Sequence, residues 1–408
     1  MYQLSAFSIT SFLSENWQRQ PCVLTNVLPD FDDPLDEHDL AGLAQEEDID
    51  SRIISHLNDA WTVTEGPFTE FDDLCQGAWT LMVQGVDAHI EEASLLMNAF
   101  NFIPHWRMDD LLVSFSQPGA GVGAHIDQYD VFIVQGKGQR RWQVGAKPKH
   151  SSRFYPHPKL QQTDEFEPII DVVLHSGDVL YIPPGFPHKG ESLSECLNYS
   201  IGFRAPDQSE LFQVIADDLL ENDKVTQRFS DKDREASEQP AALPARDMML
   251  LKELLQQYVT SPQVEQVLTE YLSKQNETLD NYELDTPILR DEILELMTRG
   301  ITIQHACGVR PVYLDRQTDH HTNNQTGHHT NNQTGHHTNN QTGHQSEAPF
   351  IFFINGQQFA STADEKALTS RVLNHSQTFI QYSTEMSDAW IDMLCELINR
   401  GYIEIVGE

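Results

Sequence analysis

The chain is short of positive charge. Its 408 residues hold 26 Lys and Arg against 62 Asp and Glu, a formal net charge of −36. That excludes a general electrostatic footprint for nucleic acid. It favours a basic partner, unless the acidity serves solubility alone. Cysteine is scarce too. Cys22, Cys75, Cys196, Cys307 and Cys395 are scattered, odd in number and without C-x-x-C spacing. No disulfide framework is expected, which fits a reducing cytoplasm. Long apolar runs are missing, and Met1-Tyr-Gln-Leu-Ser-Ala-Phe7 has no basic n-region. Neither a signal peptide nor a membrane span is expected. The length allows two or three domains.

What the chain does have is Gly121-Val-Gly-Ala-His125-Ile-Asp127, answered by His188 in Pro183-Pro-Gly-Phe-Pro-His188. Two histidines and a carboxylate in that order are the ligand set of the facial triad that holds Fe(II) and leaves positions open. His125 and Asp127 are spaced i, i+2, so on a strand they face one way. Leu111–Ser116 reads as the strand before them, and Gln117-Pro-Gly-Ala-Gly121 as a turn. The strand is expected to continue through Tyr129–Gln135. Gly136-Lys-Gly138 reads as a hairpin turn, with Arg140–Val144 returning. Val172–Ile182 is β-rich and broken at Ser176-Gly-Asp178, after which the Pro-rich segment delivers His188. Leu197–Phe203 follows as another strand. Short strands with Gly and Pro punctuation predict a double-sheet jelly roll, the class that includes cupins. The near miss His89-Ile-Glu91 lies in a segment that reads as helical, where i and i+2 diverge.

Arg140, Trp142 and Val144 share one strand face. An arginine facing inward must be paired, because an unpaired buried charge is costly. Its fork suits a carboxylate. Periodicity leaves two partners open, the distal carboxylate of 2-oxoglutarate or a carboxylate of the protein. Ser116 ends the strand before the metal loop, where a serine either donates to a ligand or serves a turn.

The segment from Trp106 to Trp142, with Leu174-His-Ser-Gly-Asp-Val-Leu-Tyr-Ile-Pro-Pro-Gly-Phe-Pro-His188, resembles the core of the bacterial ribosomal oxygenases. These are JmjC-type cupin enzymes that hydroxylate an arginine β-carbon in large-subunit ribosomal protein sixteen. The match is specific over residues 100 to 206. The resemblance implies an α+β chain: a double-stranded β-helix catalytic domain, a helical dimerisation region and a C-terminal winged-helix domain. It implies Fe(II) at His125, Asp127 and His188, 2-oxoglutarate at Ser116 and Arg140, and O2 as the other cosubstrate. It implies a cytoplasmic homodimer acting on a large-subunit ribosomal protein. Ala124 stands where proline is expected and Ala120 where glycine is expected; neither position supplies a ligand. Which side chains clamp the target arginine does not follow, and Asp109, Asp110 and Asp130 are the acidic candidates. Two alternatives stand beside this: the same chemistry on a histidine, or a non-catalytic cupin whose winged helix serves regulation. The intact set His125, Asp127, His188 and Arg140 argues against the second.

The catalytic unit is expected over residues 1–206, its first hundred mostly helical. Residues 207–285 carry helical stripes: Leu211, Phe212, Ile215, Leu219 and Leu220; then Met248, Leu251, Leu254, Leu255 and Tyr258; then Val264, Val267, Leu268, Tyr271 and Leu272. Ser261-Pro262 reads as the cap of the last. Residues 286–408 begin with a helix from Thr286-Pro287 to Arg299. Strands at Thr302–Gln304, Val312–Leu314 and Phe350–Ile354, helices at Ala363–Leu373 and Met386–Asn399, and a closing strand Gly401–Val406 follow. Helices with paired β segments suit a winged helix, and the acidic balance points it toward protein rather than DNA. Residues 317–344 repeat with a period of eight and hold seven histidines. Such a tract can bind metal weakly; it reads rather as a loop lengthened by a slipped repeat.

Overall fold

The computed structural model describes residues 2–150, 152–221, 227–232, 234–275, 284, 286–315 and 348–406. The histidine repeat lies outside them. The chain divides into two compact units, one built on Met1–Leu211 with the short piece His305–Arg310, the other on most residues from Phe212 onward.

Two large antiparallel sheets and the small hairpin Phe154–His157 with Leu160–Gln162 form the β-structure of the first unit. The larger runs Cys22–Leu24, Val179–Ile182, Asp130–Gln135, Cys196–Phe203, Met108–Ser116, Ala78–Val83, Ser51–Leu57, Ala60–Glu65. The smaller runs Pro168–Leu174, Arg140–Gly145, Pro187–Ser192, His125–Ile126. Side chains alternate faces along each strand, and here the alternation separates core from cavity. Leu111, Val113 and Phe115 enter a large core with Phe132, Val134, Tyr181, Tyr199 and Phe203, covered by the helices Ile9–Glu15 and Glu91–Asn98. Each such side chain contributes roughly 1.5–3 kcal/mol on burial. The intervening residues face the smaller sheet. Val131, Ile133, Leu180 and Ile182 pack there against Trp142, Val144 and Leu174. This is a double-sheet jelly roll, as expected.

Three expectations from the sequence differ from the structure here. The first hundred residues are not mostly helical. They hold the short helices Ile9–Glu15, Glu37–Leu43 and Glu91–Asn98, and all four of their strands belong to the large sheet. Asn58 and Asp59, both at positive φ, turn Ser51–Leu57 into Ala60–Glu65. Two left-handed residues between β-branched runs are a hairpin signal that went unread. Nor is Gly136-Lys-Gly138 a hairpin. Asp130–Gln135 pairs with Val179–Ile182 and Cys196–Phe203, whereas Arg140–Gly145 pairs with Pro168–Leu174 and Pro187–Ser192. The turn carries the chain from one sheet to the other. So does the break at Ser176-Gly-Asp178. Residues 127–129 do the same after His125–Ile126, so the ligand strand does not run on into Asp130–Gln135.

Beyond the last jelly-roll strand come the helices Gln208–Glu221, Ala245–Val259 and Pro262–Ser273. The second unit also holds Arg290–Arg299, Lys366–Asn374 and Asp388–Asn399, the three-stranded sheet Gln377–Ile380, Ile301–His305, Ile403–Val406, and the hairpin Phe350–Ile354 with Gln357–Ser361. Trp390, Phe352, Leu394, Ile293 and Met297 are fully buried. The helix expected from Thr286 starts at Arg290, because Glu292 turns back to accept the Leu289 N–H at 2.8 Å. Val312 makes one isolated bridge, to Phe353, rather than a strand.

Candidate metal centre and cosubstrate pocket

His125 and His188 are cross-strand partners in the small sheet. Their ring centroids lie 4.2 Å apart. Asp127 Oδ2 sits 3.8 Å from His125 Nε2 and 3.5 Å from His188 Nε2. One ligand atom from each of the three lies within 4.8 Å of the others. The backbone chooses the tautomers. His125 Nδ1 is 3.1 Å from the Gly123 carbonyl, and His188 Nδ1 is 3.1 Å from the Phe186 carbonyl. A carbonyl only accepts, so each Nδ1 carries the proton and each Nε2 presents its lone pair. Gly123 stands at φ +80°, the left-handed region that favours glycine. Burial, with His125 nearby, holds His188 well below the usual imidazole range, so it is a neutral ligand at pH 7. Two neutral imidazoles and one carboxylate on one side of a cavity fit a divalent transition metal with open positions.

The cavity, about 240 Å³, takes alternate residues from strand after strand. Ile54, Thr80 and Met82 line it, then Asp110, Leu112 and Ser114, then Val131 and Ile133, then Arg140 and Trp142, then Asn198 and Ser200. Its deep polar end is built around Arg140, which is 4% exposed. Nη1 donates to Asn198 Oδ1 at 3.1 Å and to Ser116 Oγ at 3.3 Å. Thr80 Oγ1 holds Ser116 Oγ at 2.9 Å. The guanidinium lies 5.0 Å from the Trp142 ring centroid, in cation–π range. Burial lowers its pKa, yet arginine stays protonated. No carboxylate pairs with it among the described residues, and its buried Nε has no partner. The structure therefore removes one of the two partners left open by periodicity. A buried guanidinium with an orphan donor in a cavity is built for an anionic ligand. Space is kept for it by Gly190, whose added Cβ would sit 2.6 Å from Arg140 Nε.

Each residue read from the sequence is in place: His125, Asp127 and His188 together, Ser116 and Arg140 together. Thr80, Asn198 and Asp110 were missed or not ranked. Strand parity is the signal that finds them, once the strand pairing is known. Of the three acidic candidates, Asp110 alone lines the cavity. Asp130 is occupied by Arg107, Tyr181 and Gln18, and Asp109 by Arg204. Burial, reinforced by Asp109 and Asp87, pushes the Asp110 carboxyl up to about 7.

A jelly roll with this ligand set and a buried arginine one strand away defines a JmjC-type cupin, and residues 95–211 match the JmjC domain. The chain is 42% identical over 310 residues to the ribosomal protein uL16 3-hydroxylase of Escherichia coli K12, covering 76% of this chain and 83% of that protein. A probable ribosomal oxygenase of Haemophilus influenzae is 38% identical over 215 residues, covering 52% of this chain and 53% of that protein. The solved structure of the E. coli ribosomal oxygenase YcfD in complex with cobalt and 2-oxoglutarate superposes with a TM-score of 0.81 at 34% identity, covering 100% of both chains. A further E. coli YcfD structure reaches 0.83 at 34% identity, covering 99% of this chain and 100% of that one. The chain belongs to the ribosomal oxygenase family.

Proposed function

We propose that this protein is an Fe(II)- and 2-oxoglutarate-dependent dioxygenase that hydroxylates an arginine β-carbon in large-subunit ribosomal protein sixteen. The observation that carries the reading is the pairing of a His125–Asp127–His188 cluster with an unpaired, buried Arg140 in one cavity. His125, Asp127 and His188 would hold the iron, the histidines through Nε2 and the aspartate through its carboxylate. Arg140 and Ser116 receive the distal carboxylate of 2-oxoglutarate. With both bound, the centre would supply oxidative decarboxylation of 2-oxoglutarate by O2, one oxygen atom entering succinate as CO2 leaves and the other hydroxylating a C–H bond. The chain's own part is orientation and exclusion of water. Val131, Ile133 and Leu112 dry the walls. Asp110 is the carboxylate that a substrate guanidinium meets, and that charge brings its raised pKa back down.

The finer assignments go with this reading. Residues 1–206 are the catalytic domain, 207–285 a helical dimerisation region and 286–408 a winged-helix domain that contacts protein rather than nucleic acid. The helix Ala245–Val259 buries no residue of its own, and Leu255, Leu220 and Phe212 stand exposed. Those faces support a homodimer. A cytoplasmic enzyme fits the substrate, and no described helix is long and apolar enough to cross a membrane.

Intact-mass analysis of ribosomal proteins from cells with and without the gene tests the reading. Loss of one oxygen, about 16 Da, from protein sixteen, mapped to one arginine, is the expected result. No change on that protein, with a shift on a histidine of another ribosomal protein, would move the substrate and keep the chemistry.

A further inference from the structure

We propose that Gln135 is a positioning residue for the cosubstrate site, acting through Asn198 on Arg140. The inference rests on the reading of that site as the 2-oxoglutarate pocket.

Gln135 ends the strand Asp130–Gln135 and Asn198 lies opposite it on Cys196–Phe203. Both are buried, 0% and 1% exposed. An amide has one accepting end and one donating end, and its environment decides which way it points. For Gln135 that choice is made by backbone. Its Nε2 donates to the carbonyls of Leu197 at 3.2 Å and Lys137 at 3.3 Å. Carbonyls cannot donate, so the NH2 end must face them and Oε1 must face away. Oε1 then accepts from Asn198 Nδ2 at 2.8 Å. That contact fixes the second amide in turn. With Nδ2 committed to Gln135, Oδ1 is the end left for Arg140 Nη1, at 3.1 Å.

The chain of constraint runs from two backbone carbonyls, through two amides, to one guanidinium. Its result is that Nη1 is tied to Asn198 and Ser116 while Nε is left without a partner. Without Gln135, Asn198 is free to flip. A flipped Asn198 presents NH2 to the arginine, donor against cationic donor, and the fork moves off its mark. Gln135 never touches the ligand. It decides which atom of Asn198 does the holding.

Binding of radiolabelled 2-oxoglutarate to the full chain loaded with Co(II), measured by equilibrium dialysis, tests this without turnover. Gln135→Leu is expected to weaken binding about tenfold, the range for a hydrogen bond to a charged group. In turnover the loss should fall on the 2-oxoglutarate KM more than on kcat. Asn198→Ala supplies the discriminating control. With no amide at 198, Gln135 has nothing left to orient. In the Asn198→Ala background, Gln135→Leu should cost no further affinity. Full additivity of the two losses would show that Gln135 does not act through residue 198, and unchanged binding in Gln135→Leu would remove the role altogether. A drop in Tm with binding intact would mark Gln135 as structural and overturn the proposal. Absence of binding in the wild-type protein would instead refute the cosubstrate reading of the pocket.

Discussion

His125 and His188 sit directly opposite each other on adjacent antiparallel strands, each with Nδ1 bonded to a carbonyl two residues earlier in its own chain. Two histidines 63 residues apart in sequence therefore present matched Nε2 atoms to one point, with Asp127 completing the set.

Replacing His125 by alanine should remove Co(II) binding, read from the visible absorption of a titration, and abolish 2-oxoglutarate turnover. The fold should survive, because His125 is half-buried and lies outside the main apolar cores. Retained turnover would sink the ligand assignment.

Arg140→Ala should raise the 2-oxoglutarate requirement by roughly 10–100-fold, the equivalent of a charge-assisted hydrogen-bonded pair. It also leaves Ser116 and Asn198 each short of a partner, so Tm should fall. A KM equal to wild type would take Arg140 out of the pocket's chemistry.

Gly190→Ala probes the same spot by steric means. The new Cβ would lie 2.6 Å from Arg140 Nε and 2.9 Å from the Trp142 ring. Overpacking of this kind costs about 1–3 kcal/mol, and the guanidinium must shift to relieve it. The expected outcome is a lower Tm together with weaker 2-oxoglutarate binding. If binding were untouched, the glycine would be serving the fold alone.

Asp110 gives a pH dependence of defined sign. Its carboxyl titrates at about 7 in the fold against an ordinary 3.8, through burial and then Asp109 and Asp87, with Arg310 opposing. Between about pH 4 and 7 the unfolded chain releases this proton while the folded chain keeps it. Stability from this group therefore falls as pH rises through that window. Asp110→Asn should match wild type near pH 4 and exceed it above pH 7, by an amount on the order of a few kcal/mol. Thermal melts across pH check this; parallel curves for the two proteins would contradict it. The same variant should bind an arginine peptide less well.

Much of the site was legible in the chain. The i, i+2 spacing of His125 and Asp127 carried meaning because a strand has a period of two. The inward face shared by Arg140, Trp142 and Val144 followed from the same rule, and burial bears it out, with Arg141 exposed between them. The failures have a common cause. A glycine turn looks the same whether it closes a hairpin or carries a strand to the facing sheet, so Gly136–Gly138 was misread. The strands Ser51–Leu57 and Ala78–Val83 are bounded by polar stretches that read as helical, and their apolar faces acquire meaning only against Met108–Ser116.

By itself the sequence determined the candidate metal ligands, the buried cation and the strand class, because each depends on residue type and spacing along a short stretch. The tertiary structure alone decided what surrounds them. Thr80, Gln135 and Asn198 come from three strands and carry no local signal, and Asp110 stood out from Asp109 and Asp130 only once its strand was placed. Strand order and register bring them to Arg140 and the cavity, and only then does a buried amide have one allowed orientation and a buried guanidinium one vacant donor.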